Sequence, residues 1–411
     1  MNIEGYLEAV DRIMPSLASL NEAVFATPEL GFEEVESSRA HVDALRAAGF
    51  EVEYPYMGMP TAFRAEYRGS APGPSVTGPS VTGPSVAGPS VAFLAEYDAL
   101  PGIGHGCAHN LLGTASTGAG IALSSRIDAI GGSVVVFGTP AEETSGAKVA
   151  MAEGGAFDGL DAAVVAHPAE EHYRSGSSLA LSAMQFEFIG KASHAGSSPE
   201  LGVNALNGVI GLFNAVNAMR GHIRSDSRIH GIISEGGVAA NIVPERAVAR
   251  FYVRSPAKAY IATLETMMRA CATSAAEAVG AEVRITNYEA SYDDLLTNGA
   301  LSGAYEGNLL SAGVPRVMAP RSSFGSLDVG NVSYRCPAIH PYFKISETPI
   351  VAHTREFAAA SVTPYALSSL RLVVAAMAKT GADVIEDSGL RASIRNEFEE
   401  ATKGLVKAAH A

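Results

Sequence analysis

The chain has 411 residues, enough for two or three domains, and 47% of them are hydrophobic, which is ample for proper cores. Its formal net charge of −14 argues against binding nucleic acid or an anionic membrane surface through bulk electrostatics. The first residues carry acids without an apolar signal region, and no stretch has the roughly 18 to 20 apolar residues that span a membrane. Three scattered cysteines do not make a disulfide framework, so we expect a globular, enzyme-sized protein in the cytoplasm.

The amino-terminal part of the chain predicts two helices and a pair of strands. Ile3 to Ala26 and Glu33 to Ala48 have helical spacing, and Glu51 to Tyr67 is typical of paired strands. Four tandem copies of a Gly-Pro-Ser-Val pentapeptide then run from Gly73 to Ala92. Removing three copies would leave a normal turn into a strand, and exposed loops tolerate such insertions. We therefore assign this repeat no catalytic role.

A segment rich in metal-ligand side chains follows the next apolar run. Glu96 to Asn110 contains two histidines, one cysteine and two acids, and it leads into a helix of small residues from Leu111 to Ile130. Such a density of side chains that lose protons readily is typical of a transition-metal site. The ordinary alternative is that the acid after the strand, Asp98, belongs to a turn or a helix cap.

Two further apolar runs also end in candidate ligands. Ser133 to Phe137 is followed by Glu142 and Glu143, and Ala162 to Ala166 is followed by His167. Taken alone, a glutamate pair is usually solvated and a single histidine is usually structural. Open α/β sheets build their sites at the carboxyl ends of the strands, however, so the recurrence at three successive strand ends favours a functional site.

After His167 the pattern changes to that of a second kind of domain. Six elements follow in the order strand, helix, strand, strand, helix, strand: Leu179–Ile189, Asn204–Arg220, Arg228–Ser234, Ala247–Arg254, Ala259–Val279 and Glu282–Tyr288. This order is that of a ferredoxin-like α+β unit. We therefore predict a discontinuous α/β domain formed by residues 1–180 and 293–411, with residues 181–292 inserted into it.

Several short motifs together resemble a known enzyme family. They are His-Gly-Cys-Ala-His at 105–109, Glu142-Glu143, Ala166-His167-Pro168 and His353-Thr354. The chain resembles, over nearly its whole length, the metallopeptidase family of aminoacylases, carboxypeptidase G and auxin-conjugate amidohydrolases. The segments 96–105, 328–333 and 339–343 are most similar to its p-aminobenzoyl-glutamate hydrolase and dipeptidase-like branch. The resemblance implies a discontinuous zinc-peptidase-like α/β catalytic domain with an inserted ferredoxin-like lid and dimerisation domain.

The resemblance also implies a set of site residues in the first domain. Two divalent metal ions, zinc or manganese, would be held by Cys107, His109, Glu143, His167 and His353. A thiolate, imidazoles and a carboxylate suit such ions, with Asp98 behind the site and Glu142 as the general base. His105 flanks the ligands, and both ligation and a supporting role remain open. The branch usually has glycine at the position of Ala108, so a turn that requires positive φ would be perturbed, although we expect the small alanine to be accepted.

The inserted domain supplies candidates for substrate binding. Lys191 to Gly196 resembles the family's lid motif, in which the histidine, here His194, reaches the partner subunit's active site and polarises the scissile carbonyl. This implies an obligate homodimer, or a higher oligomer built from dimers. Gly236 to Pro244 resembles the substrate-binding turn, where Asn241 would contact the substrate. Arg254 is a candidate anion anchor, although arginines at strand ends are more often solvated.

The sequence thus predicts a dinuclear metal-dependent amidohydrolase acting on a small molecule, either an N-acyl or N-aroyl amino acid or a small dipeptide. Two alternatives remain: a metal-dependent hydrolytic deaminase of an aromatic amine at the same site, and a catalytically silent binding protein of the same fold. The presence of Glu142 together with all five candidate ligands argues against the silent protein. No motif defines the pocket for the acyl group.

Overall fold

The structure, a computed structural model, describes residues 1–69, 88–321 and 325–403. Three copies of the pentapeptide, at 73–87, lie outside the described residues, and the fourth leads into a buried strand. Before the insertion, the helices and strands are α1 (Ile3–Ala26), α2 (Val35–Ala47), β1 (Glu51–Glu53), β2 (Phe63–Arg68), β3 (Ser90–Ala95), α3 (His109–Ile130), β4 (Ser133–Gly138), α4 (Ala147–Glu153), β5 (Ala162–Val164) and β6 (His167–Ala169).

The remaining elements follow in two groups. The first group is β7 (Ala180–Ile189), α5 (Ala205–Met219), β8 (Arg228–Glu235), β9 (Arg246–Ser255), α6 (Lys258–Val279) and β10 (Glu282–Asn287). The second group is α7 (Gly299–Ser311), α8 (Val329–Ser333), β11 (Ala338–Ile339), β12 (Tyr342–Lys344), α9 (Arg355–Ala360), α10 (Pro364–Glu386) and α11 (Ser388–Thr402). No helix in the described parts of the chain is long and apolar enough to cross a bilayer.

These elements form two compact units. The first unit draws on Met1–Ser177, Leu295–Ser322 and Asn331–Ala411, and the second on Ser178–Asp294 and Ser323–Gly330. A mixed α/β unit that is interrupted by a second unit is the predicted fold class, which is confirmed. The boundaries drawn from the sequence, 1–180, 181–292 and 293–411, stay a prediction.

A six-stranded sheet in the order β1-β2-β4-β3-β5-β11 organises the first unit. β3 is parallel to both β4 and β5, and it is buried along its whole length, as a central parallel strand should be. Helices α1, α3 and α10 pack together, and α3 lies against β3 and β4. This approach is close, because a Cβ added at Gly113 would overlap the carbonyl oxygen of Glu96.

The second unit is a four-stranded antiparallel sheet in the order β10-β7-β9-β8, with α5 and α6 packed on it. Side chains alternate along the second half of β7, where Met184, Phe186 and Phe188 are buried and Gln185 is only half-buried. One large apolar residue of α5, Ile210, is 44% exposed. Successive helical residues point about 100° apart, so α5 buries Val209 and leaves its neighbour outside.

Candidate metal centre

Three segments of the first unit meet at one edge of the sheet. Because β4, β3 and β5 are adjacent and parallel, the residues that follow them converge at their carboxyl ends. These residues are the segment 96–110 after β3, the segment 140–143 after β4 and His167 after β5. A fourth segment joins them, because the backbone N–H of His353 donates to the carbonyl oxygen of Gly106 at 2.8 Å.

The five predicted ligands form two groups that share Cys107. The ligand atoms of Cys107, His109 and His167 all lie within 4.8 Å of one another, and so do those of Cys107, Glu143 and His353. The rings of His109 and His167 are nearly perpendicular, with centroids 5.6 Å apart. Sulfur, imidazole nitrogen and carboxylate oxygen form a donor set that suits zinc or manganese. The structure therefore brings together all the residues that the sequence proposed as ligands.

His109 and His167 leave the same ring nitrogen, Nε2, for a metal. Nδ1 of His109 donates to the backbone carbonyl and to the carboxylate of Asp98, at 3.1 and 2.9 Å. Nδ1 of His167 donates to the carbonyl oxygen of Pro168 at 2.7 Å. Carbonyl oxygens can only accept, so Nδ1 carries a hydrogen in each ring and Nε2 is the nitrogen left to bind a metal. Partners of this kind fix the tautomer and orientation of metal-binding histidines.

Asp98 connects the two groups of ligands. Besides its bonds to His109, its second carboxylate oxygen accepts a hydrogen bond from the backbone N–H of Glu143 at 2.9 Å. Its side chain is buried and contacts both candidate ligands from outside the cluster. Asp98 thus links a candidate ligand after β3 to one after β4 through hydrogen bonds.

Two candidate ligand atoms, Nε2 of His109 and Oε1 of Glu143, are buried without a hydrogen-bond partner within the described parts of the chain. Buried polar atoms in native proteins are nearly always satisfied, so each such atom calls for an explanation such as an ion. The residues present therefore fit a bound divalent metal.

The electrostatics of the cluster favour a bound cation. Burial lowers the pKa of His167 to about 3, helped by His340 and His109, so its ring is neutral and free to ligate. Burial opposes charge on His109, but the surrounding carboxylates of Asp98, Glu96 and Glu143 together raise its pKa well above the usual value, so a bound cation would displace the proton from its Nε2. Burial and the neighbouring Glu143 carboxylate raise the pKa of the Cys107 thiol. A cation is what would draw the proton from that thiol.

Glu142 lies next to His109, and the two form a third possible ligand group with Glu96. Oε2 of Glu142 is 3.9 Å from Nε2 of His109, and the Glu142 side chain is 12% exposed. A carboxylate at the rim of a metal cluster, partly open to solvent, is well placed to take up and release protons.

Backbone strain concentrates at these residues. Ala108, Ala141 and His353 have φ values of 57°, 63° and 65°, in the left-handed region that costs a residue with a side chain about 1–2 kcal/mol. Each of them is a candidate ligand or the direct neighbour of a site residue. The position of Ala108 thus requires positive φ, as its family glycine suggested, and alanine adopts it directly before His109 begins α3. Such strain clusters at functional sites.

The structure adds three residues that the sequence did not single out for the site. Oε1 of Glu96 is 2.8 Å from Nζ of Lys148, and its Oε2 is 3.4 Å from Nε2 of His109. Both partners of this ion pair are buried, and the ring of His340 lies 5.4 Å from that of His167. A single lysine in the otherwise apolar run Ala147–Ala152 was the available signal, although such a lysine is more often solvated.

His105 lies outside both groups of candidate ligands. It is buried, its Nε2 donates to the carbonyl oxygen of Val24 at 3.0 Å, and its ring stacks on Phe25. Of the two roles left open by the sequence, this geometry favours the supporting one.

The three remaining candidates lie in the second unit. The lid segment pairs with the predicted substrate-binding turn, since the N–H of Ala195 donates to the carbonyl oxygen of Asn241 at 2.9 Å. This places His194 and Asn241 on adjacent segments, both exposed. Arg254 is half-buried, stacks on Tyr252 and donates to the hydroxyl of Ser326 at 3.3 Å.

The chain is similar to known peptidases and hydrolases. A peptidase dimerisation domain matches residues 180–279. The Xaa-Arg dipeptidase of Mus musculus is 35% identical over 95% of this chain and 90% of its own length. A p-aminobenzoyl-glutamate hydrolase component of Escherichia coli (strain K12) is 26% identical over 96% of this chain and 94% of its own.

A solved structure shares the fold. It is a dinuclear metal-binding peptidase of the M20 family from Bacillus subtilis, with a TM-score of 0.63, 19% identity, and coverage of 92% of this chain and 99% of that one. The predicted resemblance is confirmed, and the alternative of a catalytically silent protein is set aside because the relatives are peptidases and hydrolases. The chain belongs to the M20 peptidase family and is a hydrolase of C–N bonds.

Proposed function

We propose that this chain is a dinuclear metal-dependent amidohydrolase that cleaves the amide bond of a small dipeptide or of an N-acyl or N-aroyl amino acid. The observation that carries the proposal is the pair of ligand groups that share Cys107. The names of the relatives, an Xaa-Arg dipeptidase and a p-aminobenzoyl-glutamate hydrolase, support a small amide substrate. The dinuclear peptidase of the same fold supports two ions.

Each residue of the cluster has a role in this proposal. Cys107, His109, His167, Glu143 and His353 would hold two divalent ions, with zinc or manganese as the metal. When bound, the ions polarise the scissile carbonyl and lower the pKa of the attacking water. Glu142 accepts a proton from the water and delivers it to the leaving nitrogen as the C–N bond breaks. The products are a carboxylic acid and an amine.

The second unit completes the proposed site through a homodimer, either free or as the building block of a higher oligomer. The match to a peptidase dimerisation domain supports this assembly. We assign His194 the polarisation of the substrate carbonyl in the partner's site, and Asn241 a contact with the substrate. Arg254 is the proposed anchor for a substrate carboxylate, since its guanidinium is already oriented by Tyr252 and Ser326.

Metal analysis and one substitution test the mechanism. We expect about two zinc or manganese ions per chain by elemental analysis, and loss of activity in a strong chelator. Glu142→Gln should retain the metals and the fold but lower turnover about 10²- to 10⁴-fold, as removal of a general base does. Glu153→Gln, at an exposed acid in α4, is the matched control. Active protein without transition metal, or near-normal turnover of Glu142→Gln, contradicts the proposal.

A substrate panel tests the reaction class. It comprises dipeptides with basic, acidic and neutral carboxyl-terminal residues, p-aminobenzoyl-glutamate, N-acetyl amino acids and a free aromatic amine. Release of both an acid and an amine from one of the amides supports the proposal. Ammonia released from the aromatic amine, without cleavage of any amide, would establish the deaminase instead.

A further inference from the structure

A buried carboxylate of the first unit reaches the candidate acid pair from the start of α2. Glu34 is fully buried, and its Oε1 accepts a hydrogen bond from the backbone N–H of Ala141 at 2.8 Å. Its Oε2 accepts from the hydroxyl of Thr61 at 2.9 Å. Burying a carboxyl group costs free energy that hydrogen bonds must offset. The two bonds offset this cost for Glu34, and they also attach it to Ala141 and Thr61.

Ala141, which donates to Glu34, begins the turn of residues 141–146 that contains Glu142 and Glu143. Ala141 is buried with φ of 63° and directly precedes Glu142 and Glu143. The turn closes on itself, because the N–H of Gly146 donates to the carbonyl oxygen of Ala141 at 2.8 Å. That internal bond shapes the turn but does not orient it toward the other ligands.

Two carboxylates orient the turn from its two ends. Glu34 accepts the N–H of Ala141, and Asp98 accepts the N–H of Glu143 at 2.9 Å. Asp98 also holds His109, so it relates the acid pair to the ligands after β3. Glu34 relates the acid pair to α2 and to the segment before β2. The direction of the Glu142 and Glu143 side chains therefore depends on both carboxylates.

Glu34 is itself held firmly. The carbonyl oxygen of Thr61 accepts the hydroxyl hydrogen of Tyr97 at 2.5 Å, which fixes the partner of its Oε2. The N–H of Ala99 donates to the carbonyl oxygen of Glu29 at 2.8 Å, which ties the segment before Glu34 to the residue after Asp98. These bonds hold both the hydroxyl partner of Glu34 and the segment that precedes it.

We propose that Glu34 is a positioning residue of this enzyme. It holds the turn that begins at Ala141 so that Glu142 and Glu143 point toward the candidate ligands grouped around Cys107. The inference rests on the proposed function, because it assumes that Glu142 and Glu143 act in catalysis and metal binding. Glu34 reaches the acid pair through the backbone N–H of Ala141. A shift of about 1 Å in a reacting group can cost about 10²-fold in rate.

The test compares substitutions that keep or remove the acceptor for Ala141. Glu34→Gln can still accept from Ala141 and donate to Thr61, so kcat should stay within about threefold of wild type. Glu34→Met fills the same volume without an acceptor, so kcat should fall about 10- to 100-fold while KM changes less than about threefold. The full-length protein is used, and thermal unfolding verifies that each variant is folded.

Metal affinity gives a readout that does not depend on turnover. Because Glu143 is a candidate ligand, Glu34→Met should weaken zinc binding about 10-fold in competition with a chromogenic chelator, as loss of a supporting contact does. Glu66→Met, which removes another buried acid of the first unit, should change neither zinc affinity nor kcat. If Glu34→Met does not fold, Glu34→Asp replaces it, since its carboxylate is one methylene too short to reach both partners.

The outcomes separate this inference from the proposed function. If Glu142→Gln is severely impaired but folded Glu34→Met, or the aspartate variant in its place, has wild-type kcat and zinc affinity, Glu34 has no positioning role. Equal losses in Glu34→Gln and Glu34→Met also overturn it, because the retained acceptor would then make no difference. If Glu142→Gln has normal turnover, the proposed function itself fails.

Discussion

Four acidic side chains around the candidate ligands differ in their partners. Glu96 is paired with the Lys148 ammonium, and Asp98 accepts hydrogen bonds from His109 and from the N–H of Glu143. Glu143 has a buried carboxylate oxygen turned into the cluster, whereas Glu142 is partly open to solvent. Different environments give chemically similar groups different roles within one site. They support charge balance for Glu96, positioning for Asp98, ligation for Glu143 and proton transfer for Glu142.

The Glu96–Lys148 pair leads to a prediction about stability. Lys148→Met leaves a buried carboxylate without its ammonium partner, and breaking a buried pair in this way costs about 3–5 kcal/mol. Burial raises the pKa of Glu96, but Lys148 and the three neighbouring histidines together lower it to about 2, so these partners contribute stability above the carboxyl's unfolded pKa. We expect the free energy of unfolding in chelator to fall at pH 7, with a smaller difference below about pH 4.

Denaturant unfolding with two further variants checks this interpretation. The double variant Lys148→Met/Glu96→Gln removes both charges and should recover much of the lost stability. Lys403→Met breaks an exposed pair with Glu400 and should cost less than about 1 kcal/mol. A Lys148→Met protein as stable as wild type would show that Glu96 does not depend on this ammonium.

The candidate ligands could be predicted from the sequence, whereas Glu96 with Lys148 and Glu34 could not. Each ligand follows a strand or belongs to a recognisable motif, and parallel strands bring such residues together. Lys148 lies in a short helix, and Glu34 precedes α2 at a place where an acid usually caps the helix in solvent. Only the packed fold shows that both are buried, and burial is what gives them a role.

At the scale of elements, long periodic segments were predictable and short ones were not. Helices α1, α5 and α6 repeat their apolar residues over several turns, which indicates both their type and their buried face. The two-stranded sheet of β6 and β12 has three residues in each strand, too few for any period to be recognised. The sequence also gives no measure of how wide a helix face will be covered, as the exposure of Ile210 shows.

The exposed apolar residues of α5 and β8 lie at one side of the second unit. Ile210 and Ile233 are both more than two-fifths exposed, and a Cβ added at Gly236 would meet Leu206 and Ile233, which shows that these segments are neighbours. Within the described residues, β8 is the last strand of its sheet. Unpaired edge strands beside apolar surface are prone to pair with another copy. We therefore expect this side to form the two-fold interface.

A charge at this surface should weaken the dimer. Burying an isoleucine side chain contributes about 1.5–3 kcal/mol, so Ile210→Asp should raise the dimer dissociation constant at least about 10-fold in sedimentation experiments. Val351→Asp, at a residue of the first unit that is 73% exposed, serves as the control and should leave the dimer intact. Unchanged dimerisation of Ile210→Asp would place the interface elsewhere.

At the scale of the whole molecule, the two units carry complementary chemistry. The first unit holds the candidate ligands and Glu142, and the second presents His194 on an exposed segment. Nδ1 of His194 accepts a hydrogen bond from the N–H of Gly196 at 3.2 Å, so in the neutral ring Nε2 carries the hydrogen. An exposed N–H donor suits the polarisation of a carbonyl oxygen. This supports the proposed role of His194 without deciding which chain's site receives it.

Mixing the subunits of two impaired variants shows whether His194 acts in its own chain's site or in the partner's. Glu142→Gln and His194→Ala are each expected to be strongly impaired as homodimers. In a mixed dimer, one site combines an intact Glu142 from its own chain with an intact His194 from the partner, and the other site lacks both. Random reassociation of equal amounts makes half of the dimers mixed, so activity should return to about a quarter of the wild-type value if His194 acts in trans. If His194 acts within its own chain, every site in the mixture lacks one of the two groups, and verified reassociation restores nothing.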